Sequence, residues 1–140
     1  MSFLRGLVRL ALAMFFVSIG WLHLVRPEPF LQIMPPYLPW HMELVLLSGV
    51  CEILGGVGLL IPRLARKAAW GLVALLVAVF PANVYMATDH IQVNGFPPEP
   101  WMAWARLPFQ AVFIALCLWC TLPEMRGART QGPQGIAARP

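Results

Sequence analysis

Hydrophobic positions in this chain gather into four long runs, from about Leu4 to Val25, Met42 to Ile61, Ala68 to Met86 and Ala103 to Leu122. A helix rises about 1.5 Å per residue, so ~20 residues cross the hydrocarbon core of a bilayer, and each run predicts one spanning helix. The segments between the runs are of two kinds. RPEPFLQIMPPYLPWH holds Pro27, Pro29, Pro35, Pro36 and Pro39, and HIQVNGFPPEPW holds Pro97, Pro98 and Pro100, so neither can form a long helix. Both also carry large apolar side chains, which predicts that they fold down onto the ends of the helices. PRLARK, between the second and third runs, is a short basic turn. The pattern predicts an all-α transmembrane four-helix bundle in one domain, residues 1–122, followed by a disordered cytoplasmic tail over 123–140.

Composition strengthens this reading, because 59% of residues are hydrophobic, 11% are charged and the mean hydropathy is +0.70. A soluble domain is excluded. Arg5 and Arg9 ahead of an apolar core resemble a secretory signal, but the run continues to His23 with no small-residue cleavage site, so it reads as a span. With four crossings, Arg5, Arg9, Arg63, Arg66, Lys67, Arg126, Arg129 and Arg139 fall on one side, and only Arg26 and Arg106 fall on the other. Both termini are therefore expected in the cytoplasm. The net charge of +4 is then a matter of topology and anionic lipid, and calls for no nucleic-acid partner. Tyr37, Trp40, Trp101 and Trp104 are expected to form an outer aromatic belt.

The chemistry lies in the polar residues within the runs. Glu52 sits in the middle of LLSGVCEILGGVGLL, and Ser48, Gly49, Glu52, Gly55 and Gly56 share one narrow helical stripe. Small residues let a neighbouring backbone approach closely, so Glu52 is expected to face another helix and not lipid. Arg106 and Gln110 head a stripe on the fourth run, about 10 Å from the outer end for Gln110, and Glu52 lies about 15 Å in. Arg106 is therefore the expected ionic partner of Glu52, in a pair whose breaking would cost about 3–5 kcal/mol. Asn83, just after Pro81, and His23 complete a group of five: His23, Glu52, Asn83, Arg106 and Gln110. The proline-rich first loop would cover this outward-opening polar pocket for a lipid-soluble small molecule.

Plainer roles compete with this one. Glu52 with Arg106 could fix helix register, and Asn83 and Gln110 could act as interhelical glue. His23 lies near the water interface and could simply be a satisfied polar residue. His41, Glu43, Asp89 and His90 match no metal-ligand spacing. Cys117 and Cys120 form CLWC, a thiol oxidoreductase pattern, but a helix C-terminus disfavours thiolate, so packing is the expected role, as it is for Cys51. An acid–base enzyme using Glu52 and His23 also stays open.

Four segments, GWLHLVRPEPFLQIMPPYLP, LSGVCEILGGVGLLIPRLARKAAWGL, AVFPANVYMA and WARLPFQ, together resemble the DoxX-like family of four-span bacterial membrane proteins. The resemblance covers most of the chain and implies an inner-membrane bundle linked to redox and thiol biology, with a quinone-linked redox or oxidative-stress role. The family takes its name from a subunit of a thiosulfate:quinone oxidoreductase. It implies His23, Glu52, Asn83, Arg106 and Gln110 as the shared core and a quinone as the candidate ligand. No haem, flavin or iron–sulfur site is implied. A redox-enzyme partner subunit, a role as a non-catalytic subunit or assembly factor, and homo-oligomerisation remain alternatives.

Overall fold

Every apolar run forms a helix, and a fifth, short one occupies the first proline-rich segment. The computed structural model describes residues 3–93 and 100–121 of the 140-residue chain. Within them α1 spans Phe3–Val25, α2 Glu28–Gln32, α3 His41–Leu60, α4 Ala65–Thr88 and α5 Pro100–Trp119. The expected tail over 123–140 and residues 94–99 of the second proline-rich loop lie outside the described residues. The long helices α1, α3, α4 and α5 are each long and apolar enough to cross a membrane. Helix α4 begins at Ala65, three residues before the apolar run, because Arg66 and Lys67 interrupt hydropathy without interrupting a helix.

The long helices run alternately up and down, each packed on the next: α1 on α3, α3 on α4, α4 on α5, with α5 closing back on α1. Consequently α3 stands diagonally across from α5. One end of the bundle is basic, formed by the start of α1, the Arg63–Lys67 turn region and the end of α5; the other is the proline-rich end. The α1–α5 seam is closed by side chains. Phe15 stacks on Phe113 with centroids 4.5 Å apart, and Arg5 lies 5.3 Å from the Trp119 ring. Arg9 is only 4% exposed, and its Nη2 donates to the Cys120 carbonyl at 3.3 Å. A cation there meets the carbonyls left without helical donors at the end of α5, where the helix dipole is negative.

Among the described residues, two apolar cores result. At the basic end Leu12, Phe16, Leu59, Ala69, Leu72, Cys117 and Cys120 pack together; at the proline-rich end Ile33, Met86, Ala87, Val93 and Ala103 do so. Of the buried polar residues of the long helices, Arg9 sits at the basic end on Cys120, and the others are His23, Glu52 and Gln110. The outward faces carry Leu7, Met14, Trp21, Leu47, Leu54, Val77, Phe109 and Val112, all exposed, which reverses the pattern of a water-soluble bundle.

Candidate functional site

The small-residue stripe of α3 serves two neighbours. Gly49 and Gly56 face α1: a Cβ on Gly49 would stand 2.6 Å from His23 Cβ and 2.8 Å from the Gly20 carbonyl oxygen, and one on Gly56 3.0 Å from the Ala13 carbonyl oxygen. Gly55 and Gly58 instead meet Leu72 and Ala68 of α4. The sequence stripe is thus a wedge between two helices, and Glu52, on its α1 side, is 8% exposed.

That geometry corrects the expected ion pair. Helix α5 lies across the bundle, so Arg106 is not the partner of Glu52; His23 of α1 is, with Nδ1 at 3.3 Å from Oε2. Arg106 turns to the proline-rich core, where Nη1 donates to Met86 Sδ at 3.5 Å. The register was available in the sequence, because Gly20-x-x-His23 and Gly49-x-x-Glu52 repeat one spacing on two antiparallel helices. Because the helices are antiparallel, the repeated spacing sets Gly20 against Glu52 and Gly49 against His23, so each polar side chain crosses the seam at a glycine of the other helix.

The pair is left incompletely bonded. His23 Nδ1 lies 2.9 Å from the Ile19 carbonyl, which can only accept, so that nitrogen carries a hydrogen and directs it to the backbone. Glu52 Oε2 is shielded from solvent and receives no hydrogen bond. Above the imidazole, Phe30 of α2 stacks with centroids 3.6 Å apart and planes 19° from parallel. His23 is itself 8% exposed.

The remaining expected residues form a second group on α4 and α5. Asn83 Nδ2 donates to Gln110 Oε1 at 2.9 Å, and Gln110 Nε2 donates to the Leu76 carbonyl. Both helices carry an internal proline beside this bridge, Pro81 and Pro108. Pro81 removes the donor from Val77, next to the carbonyl that Gln110 takes, so the side-chain amide supports a locally weakened backbone. Thus the five residues are brought together as two pairs, His23–Glu52 and Asn83–Gln110, with Arg106 beside Met86. Replacing Asn83 with Leu strands the Gln110 carbonyl, and a double-mutant cycle with Gln110→Leu should give a coupling of about 0.6–1.7 kcal/mol in detergent unfolding.

A surface groove of about 340 Å³ is lined by Tyr37, Pro81, Val84, Tyr85 and Thr88, and none of the five site residues lines it. Cys117 and Cys120 are 0% and 1% exposed, in the basic-end core, with Cys120 Sγ on the Cys117 carbonyl at 3.3 Å. An attacking or attacked sulfur has no access there. Cys51 is exposed on the outward face of α3.

These features define an all-helical bundle of membrane-crossing length with a buried, incompletely bonded acid–imidazole pair. Residues 12–121 match DUF8561, a domain of unknown function, and the chain belongs to that family. Searches of characterised proteins and of solved structures each returned no match.

Proposed function

We propose that this chain is a multi-pass protein of a bacterial inner membrane, DoxX-like in architecture, with both termini cytoplasmic, and that it holds a lipid-soluble small molecule, a quinone, at the His23–Glu52 pair. The observation that carries the reading is the buried, unbonded Oε2 of Glu52 beside an imidazole. A buried carboxyl oxygen left without a partner costs about 1–3 kcal/mol, and a chain keeps such a penalty where a ligand relieves it; a quinone carbonyl does so by accepting from the carboxylic-acid form of Glu52. Insertion is supported by the apolar outward faces. The orientation is supported by exposed Arg63, Arg66 and Lys67 at one end, and by exposed Tyr37, Trp40, Trp101 and Trp104 at the other. Asn83, Gln110 and Arg106 hold α4 and α5 in this reading, and Arg106 no longer serves as the counter-ion of Glu52.

Mass spectrometry of a lipid extract from the detergent-purified protein tests the proposal. A quinone is expected in near-equimolar amount with the wild-type chain and in trace amount with Glu52→Leu. Equal amounts in both, or none in either, would contradict it.

A further inference from the structure

The aromatic ring that covers His23 belongs to the shortest helix among the described residues. Helix α2 has five residues, none of them buried, and its N-terminus has no side-chain cap. The chain is fixed on either side of it: α1 ends at Val25, Ile33 is buried in the proline-rich core, and the Pro35 carbonyl lies 3.1 Å from His41 Nε2. Between those anchors Phe30 stacks on the imidazole, and its backbone N–H donates to the Pro27 carbonyl. A five-residue helix with no buried residue and no side-chain cap opens at low free-energy cost while its anchors stay in place.

Beneath the ring lies an acceptor with nothing to accept. Glu52 Oε2 has no donor, and the Nδ1 hydrogen of His23 is committed to Ile19. A flat ring placed where Phe30 now sits would stack on the imidazole in the same way, and a hydroxyl on that ring could reach the carboxyl that the hydrocarbon ring of phenylalanine cannot satisfy. An O–H group suits either form of Glu52, because it donates to a carboxylate and accepts from a carboxylic acid. An ether or hydrocarbon cannot donate.

We infer that Phe30 is a plug occupying the position of the ligand ring, and that the site takes a planar hydroxyl-bearing ring whose O–H bonds to Glu52 Oε2 as α2 swings aside. This rests on the reading of His23 and Glu52 as a ligand site, and adds to it the hydroxylated form of the ligand and its gate. Competition between plug and ligand lowers apparent affinity by the fraction of time the site is open. Shrinking the plug therefore tightens binding and enlarging it weakens binding. A residue that walled a permanent pocket would show the opposite response to shrinking.

The test is equilibrium binding of a short-chain alkyl hydroquinone, its dimethyl ether and the corresponding alkyl quinone to the full-length protein in detergent, under anaerobic reducing conditions for the hydroquinone. The hydroquinone is expected to bind about tenfold more tightly than its ether, the worth of one good hydrogen bond to a buried acceptor. Phe30→Ala should tighten hydroquinone binding about tenfold, Phe30→Trp should weaken it, and Glu52→Leu should abolish the preference for hydroxyl over ether. Thermal unfolding of each variant checks that the bundle is intact. Hydroquinone and ether binding alike, or Phe30→Ala weakening the hydroquinone, overturns the inference while leaving the quinone reading in place if the quinone binds. Failure of all three probes in the wild type and in Phe30→Ala overturns both.

Discussion

Glu52→Leu is expected to unfold at a higher temperature than the wild-type chain and to hold no ligand. Polar deletions in a packed bundle usually destabilise, so the sign is the informative part. In the wild type, Oε2 is buried without a donor, at a cost of about 1–3 kcal/mol, and His23 keeps its bond to Ile19 whether or not Glu52 is present. Leucine removes the unsatisfied oxygen and adds apolar contact next to Gly20, so a gain of about 1–3 kcal/mol in detergent unfolding follows. An ion pair with Arg106 would have predicted the reverse, a loss from stranding a buried guanidinium. A destabilised Glu52→Leu would therefore show that the contact between Glu52 and His23 holds the fold together and that the site reading is wrong. Gains in stability at the expense of function are the usual signature of a binding group.

The second large effect is expected at Gly49. Adding one methyl group there meets His23 Cβ at 2.6 Å and the Gly20 carbonyl oxygen at 2.8 Å, and the backbone oxygen cannot turn away as a flexible side chain could. Helices α1 and α3 must separate, which costs about 1–3 kcal/mol as overpacking and widens the gap between His23 and Glu52. Gly49→Ala should thus lose both stability and ligand. Gly71→Ala is the control, since a Cβ there has nothing within 4 Å, and its expected effect is a gain of about 0.5–1 kcal/mol from helix propensity. Similar unfolding of the two variants would mean that the α1–α3 contact is looser than the glycine geometry requires.

The helices were legible in the sequence because hydropathy over ~20 residues is a strong signal, and the structure moves their ends by only a few residues. The short α2 was less so, because five residues among prolines carry no periodicity to read. Periodicity showed that Glu52 faces a neighbour, but it cannot say which neighbour. That depends on the order of helices around the bundle, and an up-and-down chain with each helix packed on the next sets α3 across from α5. Arg9 is a related case: as a basic residue near a span end it counted toward topology, whereas in the fold it is buried on the Cys120 carbonyl. Depth along a helix is legible from counting residues. Azimuth around a bundle is not, except where a matched pair such as Gly20-x-x-His23 and Gly49-x-x-Glu52 marks a shared seam.

The chain has three histidines, His23, His41 and His90, and only His23 belongs to the proposed site. Nitrogen-15 NMR of imidazole-labelled protein, recorded while an alkyl hydroquinone is added, therefore reads the central claim directly. The account predicts that the His23 ring nitrogens shift as the ligand saturates, that His41 and His90 stay unchanged, and that Glu52→Leu removes most of the His23 response. Saturable binding with His23 unmoved, or with the change confined to His41 or His90, would contradict it.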